Sequence, residues 1–285
     1  MKLLRRRYPD FLGIGAQKAG TTWLHRNLAS HPQIWLPPVK EVHYFDEVHI
    51  KSHKRWASAH RQNKGGALLR GYLARTPAEE RRPNRTALLE TFVEDTISDD
   101  WYGRLFGFAR PAQICGEFTP EYSIMREIGI RHVLQLSPAV KLILSLRDPI
   151  ERCWSQIRMT DSRQRGSSLA ELEAAARSPS VLGRSDYPGI VSRWSRFVPA
   201  ERLHIVFMDD IAEKPLQVLN GVCDFLGLEF LPDRFTDASV PIHPGNGLDM
   251  PPTVYDSLKR SLRYVYDQLV LLYPEHAGKW MARHY

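Results

Sequence analysis

The chain contains the stretch FLGIGAQKAGTTWL at residues 11–24, an apolar run followed by a glycine loop and the start of a helical pattern. The two glycines that flank AQKA have the spacing of a phosphate-binding loop. Backbone N–H groups at the start of a helix attract an anion, and the helix dipole adds to the attraction. Lys18 supplies a positive charge there, and Thr21 and Thr22 supply hydroxyl donors. The stretch therefore predicts a phosphate site and not a plain turn from strand to helix.

This loop differs from the one that holds nucleoside triphosphates. In that loop the second glycine is followed by Lys and then by Ser or Thr, whose hydroxyl holds Mg²⁺. Here Gly20 is followed by Thr21, and the lysine precedes the glycine by two residues. No convincing second carboxylate for a metal stands out in the sequence. We therefore expect an anion whose transfer needs no metal, with a nucleotide-dependent kinase of a small molecule as the alternative.

Continuous apolar runs bounded by turn residues predict buried parallel strands that are covered on both faces. The runs lie at 11–15, 113–117, 141–146 and 203–208, with a shorter one near 33–36. Helical patterns lie near 20–30, 86–98, 122–136, 149–160, 168–178, 188–197, 215–226 and 253–272. Strands that alternate with helices predict an α/β fold with a parallel sheet, in which sites gather at the carboxyl ends of the strands.

The positive charge is concentrated in one segment. The chain has 285 residues and a net charge of +7, and residues 51–85 hold ten Lys or Arg against two acids. The rest of the chain is close to neutral, which argues against a nucleic-acid binder. We expect a single domain over 1–285 with a basic helical insertion around 50–110. The insertion is either a solvated surface or a basic lip that attracts an anionic substrate.

The cysteine count and the apolar runs indicate the cell compartment. Three widely spaced cysteines without a CxxC pair predict a reducing, cytoplasmic environment and buried thiols. No run of about 18 apolar residues is present, so no membrane span is expected. The N-terminal MKLLRRRYPDF is not followed by an apolar stretch, unlike a secretory signal.

A second phosphate motif follows the strand predicted at 141–146. That run leads into Arg147-Asp148-Pro149, and Ser155 stands eight residues after the arginine. A planar guanidinium can bond two oxygens of a terminal phosphate. The segment also has the features of a helix start, with Asp148 as the cap and Pro149 in the first turn. Both interpretations can hold, because the cap would shape the loop that presents the arginine.

Together these motifs resemble a known family. QKAGTTWL after an apolar strand resembles the 5′-phosphosulfate loop of sulfotransferases, which use 3′-phosphoadenosine 5′-phosphosulfate (PAPS). The resemblance implies that Lys18 lies against the bridging oxygen and the leaving phosphate, and that Arg147 and Ser155 bind the 3′-phosphate. The residues expected to bind the cofactor along the loop are Gln17, Lys18, Ala19, Gly20, Thr21, Thr22 and Trp23.

A third motif, Lys40-Glu41-Val42-His43-Tyr44-Phe45, is similar to the EVHFF segment of the heparan-sulfate sulfotransferases and their bacterial relatives. The resemblance implies that Glu41 is the catalytic base and that His43 supports it, with His43 as the rival base. On a strand the two side chains would share a face. The alternatives are a carboxylate paired with Lys40 and a core histidine.

The resemblance covers roughly residues 11–280 and implies a P-loop-like, five-stranded parallel sheet flanked by helices. It implies an acceptor that is a carbohydrate or a glycolipid. Two departures stand out: Phe118 replaces the lysine of the family's Glu-Lys-Thr-Pro, and the stretch 240–252 lacks the basic element of the family's late loop.

Further assignments stay open. Trp23 and Tyr187 either contact the adenine, as the resemblance implies, or, for the tryptophan, pack in the core. A metal site from His43, Asp46, His49 and His53 is disfavoured, because their spacing matches no known zinc motif. A non-catalytic binding module is a weaker third class of function.

Overall fold

The computed structural model describes residues 6–164, 166–240 and 249–285, without the side chains of residues 162–164. Five strands lie within these ranges: β1 Phe11–Gly15, β2 Ile34–Trp35, β3 Ile114–Phe118, β4 Lys141–Leu146 and β5 Leu203–Phe207. They form one sheet in the order β2-β3-β1-β4-β5, and every neighbouring pair is parallel. The predicted α/β fold with a parallel sheet is therefore confirmed.

Helices connect the strands and cover both faces of the sheet. In the first half of the chain they are α1 Thr21–Leu28, α2 Tyr44–His49, α3 Lys54–Arg75, α4 Pro83–Phe92, α5 Asp99–Phe106, α6 Glu127–Leu136 and α7 Pro149–Gln164. The later ones are α8 Leu169–Ala176, α9 Pro179–Leu182, α10 Tyr187–Ser195, α11 Met208–Glu213, α12 Pro215–Leu226, α13 Pro252–Leu272 and α14 Pro274–His284. Short 3₁₀ turns lie at Ala78–Glu80, Pro120–Ile124, Ala200–Arg202 and Pro232–Arg234.

Alternate side chains of the central strands enter two separate cores. Leu12 and Leu142 pack into the larger one, while Phe11 and Ile143 pack into the smaller one on the opposite face. This alternation is what a sheet covered on both faces requires, since successive side chains of a strand point to opposite sides.

Two predicted helices have the wrong bounds, and the strand considered for Glu41 and His43 does not form. The helix predicted at 86–98 ends at Phe92, and a new helix, α5, begins after Ser98, whose hydroxyl accepts from Trp101 N. The helix predicted at 122–136 begins only at Glu127, after the 3₁₀ turn that starts at Pro120. No strand carries Glu41 and His43: both have left-handed backbones, with φ 68° and 57°.

The thiols and the helix lengths bear on two further expectations. Cys115, Cys153 and Cys223 are all buried and carry no disulfide. Within the described ranges, no helix is both long enough and apolar enough to cross a bilayer.

Candidate active site

The glycine loop connects the central strand β1 to α1 and is held against β4. Ala16 N donates to the carbonyl of Ser145 at 2.7 Å, and the hydroxyl of Ser145 donates to the carbonyl of Ala19. Gly20 has φ 86°, and a Cβ there would lie 2.8 Å from Ile211 Cδ1. The left-handed backbone strains any side chain at this position and Ile211 would have to move, so glycine is favoured where the loop enters the helix.

A hydrogen bond and an ion pair hold the start of this loop. Gln17 Nε2 donates to Glu121 Oε1 at 3.0 Å, and Glu121 in turn pairs with Arg184. The backbone of Lys18 is left-handed, with φ 68°. Thr21 is buried and Thr22 is half-buried in the first turn of α1. The loop thus brings its hydroxyls and its helix start to the carboxyl end of the central strand.

Arg147 connects the second phosphate motif to this loop. It follows β4, its Nη1 donates to the carbonyl of Lys18 at 3.4 Å, and its Nη2 lies 3.1 Å from Glu151 Oε2. Asp148 Oδ1 accepts from the backbone N–H of Ile150 at 3.1 Å, which confirms its role at the start of α7. Ser155 lies two turns into that helix and is half-buried. Motifs about 130 residues apart in the chain therefore meet at one edge of the sheet.

Glu41 is the solvent-facing member of a charged cluster. Its Oε1 accepts from Lys40 Nζ at 2.5 Å, and its Oε2 lies 3.5 Å from His43 Nε2. The imidazole of His43 is bonded on its other side to Asp46 Oδ2, with Nδ1 at 3.0 Å. The Glu41 side chain is 31% exposed and that of His43 is 1% exposed. A substrate in solvent therefore reaches the carboxylate more readily than the imidazole.

The charges of this cluster shift its pKa values in opposite directions. Burial alone would lower the pKa of His43, but the carboxylates of Asp46 and Glu41 raise it to about 10. Burial alone would raise the pKa of Glu41, but the imidazole of His43 and the ammonium of Lys40 hold it well below its usual range. At neutral pH Glu41 is a carboxylate and His43 is an imidazolium.

Three side chains from the end of β3 hold the backbone of this segment. Val42 N donates to Glu117 Oε2 at 3.2 Å, His43 N to Thr119 Oγ1 at 3.4 Å, and Tyr44 N to the Tyr122 hydroxyl at 3.1 Å. Glu117, Thr119 and Tyr122 are themselves buried. The catalytic candidate Glu41 is thereby attached to the strand next to β1.

Two of the cofactor candidates are buried in the fold. The indole of Trp23 is 5% exposed, packs in the smaller core and donates to the carbonyl of Ala238 at 2.9 Å. This favours the core-contact alternative over adenine stacking. Tyr187 is fully buried, and its hydroxyl accepts from Arg147 N at 3.4 Å. Its hydroxyl thus supports the backbone at Arg147, and its ring has no contact with solvent.

Sequence reasoning missed several residues of this site. His60 on α3 packs edge-on against His43, with 5.2 Å between ring centroids, and Trp56 does the same at 4.7 Å. From the sequence, Asp46 is considered only as a metal ligand, although its spacing of three from His43 is the signal for their hydrogen bond. No pattern in the sequence predicts the contact between His60 and His43, because this contact depends on how α3 folds back. His49, a member of the disfavoured metal set, bonds to His132 at 2.8 Å instead.

The departures from the family motifs lie partly outside the described residues. Phe118 stands where the family has lysine. Its uncharged ring is fully buried against Phe11, so this position contributes no charge to the site. Of the stretch 240–252, residues 241–248 are outside the described part of the chain.

Two curated proteins are similar to this chain in sequence. The chain is 23% identical over 232 residues to "Heparan sulfate glucosamine 3-O-sulfotransferase 5" of Homo sapiens, which covers 77% of this chain and 54% of that protein. It is 26% identical over 235 residues to "Heparan sulfate glucosamine 3-O-sulfotransferase 6" of Homo sapiens, with 79% and 54% covered. The chain thus spans about half the length of these curated relatives.

Solved structures show the same fold. A sulfotransferase from Alicyclobacillus acidocaldarius superposes with a TM-score of 0.65 at 23% identity, over 96% of this chain and 99% of that one. A sulfotransferase domain from the curacin biosynthetic pathway gives 0.60 at 17% identity, over 91% and 98%. The sequence model of a family described as "Sulfotransferase family" matches residues 9–233 of this chain. Because this match spans most of the chain, the protein belongs to the sulfotransferase family.

Proposed function

We propose that the chain moves the sulfuryl group of PAPS to a hydroxyl or amine of an acceptor. The observation that carries the proposal is the contact between Arg147 and the carbonyl of Lys18, which brings two phosphate-binding motifs together. Membership of the sulfotransferase family supports the same chemistry.

The residues of the loop fit a phosphate ester that carries a sulfuryl group. Helix α1 offers its first backbone N–H groups as donors beside the hydroxyls of Thr21 and Thr22. PAPS supplies a sulfuryl group on a phosphate that can leave without a metal. Lys18 would stabilise the negative charge that grows on this phosphate, where a preorganised cation is most effective. Arg147 and Ser155 would hold the 3′-phosphate.

Glu41 is the proposed base. Its carboxylate is exposed to solvent and can accept the proton that the acceptor loses as it attacks sulfur. His43 is the weaker candidate because its Nδ1 is bonded to Asp46 and its ring is almost fully buried. We assign His43 and Asp46 the role of positioning the Glu41 carboxylate.

The proposed acceptor is an anionic carbohydrate or glycolipid. Eight of the ten basic residues in 51–85 are exposed, and none of the eight has an ion pair within the described part of the chain; they are Lys51, Lys54, Arg55, Lys64, Arg70, Arg75, Arg82 and Arg85. Helix α3 carries several of them and also carries Trp56 and His60 against His43. The names of the curated relatives, which act on heparan sulfate, support the same class of acceptor.

Equilibrium binding tests the donor. The wild-type chain should bind 3′-phosphoadenosine 5′-phosphate without Mg²⁺ and prefer it to ATP. Arg147→Ala should weaken this binding by about 10- to 150-fold, because a charge-assisted hydrogen bond contributes roughly 1.5–3 kcal/mol. The matched control is Arg131→Ala, an exposed arginine paired with Glu127 on α6. Equal affinity for ATP and the 3′-phosphorylated nucleotide would contradict the proposal, and Mg²⁺-dependent ATP binding would favour a kinase.

A further inference from the structure

Glu41, His43 and His60 form a cluster of potential metal ligands beside the proposed base. One ligand atom from each residue lies within 4.8 Å of the others. The three come from different parts of the fold: Glu41 and His43 flank Val42 before α2, and His60 is on α3. Imidazole nitrogens and a carboxylate oxygen are the ligands with which proteins bind zinc.

Two nitrogens of this cluster form no hydrogen bond to any residue that the structure describes, although one of them, Nε2 of His43, lies 3.5 Å from Glu41 Oε2. Nε2 of His43 and Nε2 of His60 are buried and form no hydrogen bond among the described residues. A buried polar atom without a partner is costly, and native structures seldom leave one unexplained. Two such nitrogens beside one carboxylate can bind a metal ion when both imidazoles are neutral, so binding would release the proton that His43 carries in the metal-free chain.

The surrounding contacts direct these atoms toward a common point. Asp46 binds Nδ1 of His43 and leaves Nε2 as the atom that faces Glu41. A carboxylate on the far nitrogen is the usual support of a metal-bound histidine. Lys40 occupies Oε1 of Glu41 and leaves Oε2 on the side of His43. Three protein ligands with solvent access at Glu41 resemble the open zinc sites in which a fourth position is free.

We propose that Glu41, His43 and His60 bind one divalent ion of the zinc type, and that this ion inhibits the enzyme. The ion would occupy the carboxylate oxygen on which activation of the acceptor depends. A tetrahedral ion with bonds of about 2.0–2.1 Å places its ligand atoms about 3.4 Å apart, so the three side chains close slightly on binding. The inhibition rests on the proposed function, whereas the binding of the ion does not.

Direct binding of the metal is the first test. The full chain is treated with a chelator and titrated with Zn²⁺ by calorimetry and with Co²⁺ by visible absorption. We expect one ion per chain and the absorption of tetrahedral Co²⁺. His60→Gln should weaken the affinity by at least the 10- to 100-fold that loss of even a supporting partner costs.

Two control variants separate this site from other histidines. His204→Gln changes a half-buried histidine of β5 that stacks on Phe225, and it should leave the affinity unchanged. His49→Gln tests the pair that His49 forms with His132. Absence of stoichiometric binding, an unaffected His60→Gln, or an equal loss in either control would overturn the site.

Turnover with PAPS tests the inhibition. Zn²⁺ should inhibit competitively with the acceptor, and the chelator should restore activity. The His60→Gln variant should require a higher Zn²⁺ concentration for the same fractional inhibition, measured against its own metal-free rate. Stoichiometric, His60-dependent binding without inhibition would refute the inhibitory role. If no sulfuryl transfer is found at all, the proposed function fails, and the binding titrations still decide the metal site.

Discussion

At the scale of single residues, the proposed base depends on an unusual backbone. Glu41 and His43 are not glycines, and yet both are left-handed. This conformation costs roughly 1–2 kcal/mol per residue. The hydrogen bonds from Val42, His43 and Tyr44 to the end of β3 offset that cost. In this turn the side chains of Glu41 and His43 come together although Val42 separates them. On an extended strand the two side chains would only lie on the same face.

The first prediction concerns this pair. Glu41→Gln keeps the size of the side chain and removes the basic oxygen, so kcat should fall by about 10²–10⁴-fold. Binding of 3′-phosphoadenosine 5′-phosphate should stay near wild type, because the carboxylate donates no hydrogen bond to the phosphates of the nucleotide. His43→Asn should lower kcat less, since the imidazole only positions Glu41. Both are measured as kcat on one acceptor, with nucleotide binding in parallel. Retained turnover in Glu41→Gln with a loss in His43→Asn would reverse the two roles.

The second prediction concerns His25 on α1. Burial, followed by the charge of Lys40, lowers the pKa of His25 to about 4, with the carboxylate of Glu41 opposing the shift. The folded-state pKa lies below the unfolded value, so the unfolded chain takes up the proton first as the pH falls. The stability that neutral His25 contributes is therefore full above about pH 6.5 and is lost progressively as the pH falls toward 4.

Urea unfolding at two pH values measures this effect. Between about pH 7 and about pH 4.5, wild type should lose about 2–3 kcal/mol more of its free energy of unfolding than His25→Gln, which cannot titrate. Phe118, which meets the ring of His25 edge-on, stays unchanged in both proteins. An identical loss in the two proteins would show that His25 does not contribute to acid sensitivity.

At the scale of elements, apolar runs predicted strands far better than helices. The run at 141–146 coincides with β4, because a strand buried on both faces is mostly apolar; its polar residues are Lys141 and Ser145. Helix α3 was expected only as part of a basic insertion: of its 22 residues only Ala57, Arg61 and Gly65 are buried, so its sequence shows little amphipathic pattern. The helices α2 and α11 have six residues each, which is too short for a helical repeat to stand out in the sequence.

The third prediction concerns the ion pair that fixes α3 to α2. Arg61 is fully buried, bonds to Glu47 and lies over the ring of Trp101, 5.1 Å from its centroid. Glu47→Leu alone leaves a buried charge without a partner, which should lower the free energy of unfolding by about 3–5 kcal/mol.

The matched double variant tests the physical reason. Glu47→Leu with Arg61→Met replaces both charges by apolar groups of similar length, and it should recover most of the lost stability. Urea unfolding of the wild type, the two single variants and the double variant gives the coupling energy. If the double variant loses the sum of the two single losses, Arg61 and Glu47 contribute independently and the ion pair is not what fixes α3.

At the scale of the whole molecule, the strand order assembles the site. The order β3-β1-β4 puts the carboxyl ends of three strands side by side, so the Glu41 segment, the glycine loop and Arg147 share one edge. The motifs could be predicted from the sequence because each follows an apolar run. Their contacts could not be predicted, since the position of His60 beside His43 depends on how α3 folds back over this segment.

The last prediction follows from the uneven distribution of charge. Burial, and after it the charges of His43 and Lys64, lower the pKa of His60, so Lys64 on α3 lies near that imidazole. It stands one turn beyond His60 on the helix that flanks the proposed base. If the basic surface attracts an anionic acceptor, its contribution should be screened by salt, because the Debye length falls to about 8 Å at physiological ionic strength.

Initial-rate kinetics with a polysulfated glycan and a neutral oligosaccharide test this attraction. Lys64→Ala/Arg70→Ala should raise KM for the anionic acceptor by about 2- to 30-fold, since each exposed charge contributes roughly 0.2–1 kcal/mol. KM should also rise less steeply with salt, while kcat and the kinetics of the neutral acceptor change little. The control Arg263→Ala/Lys279→Ala removes two exposed charges on α13 and α14, both paired within their own helices. An equal effect of both double variants would mean that net charge attracts the acceptor, and no effect of either would leave α3 without a role in acceptor binding.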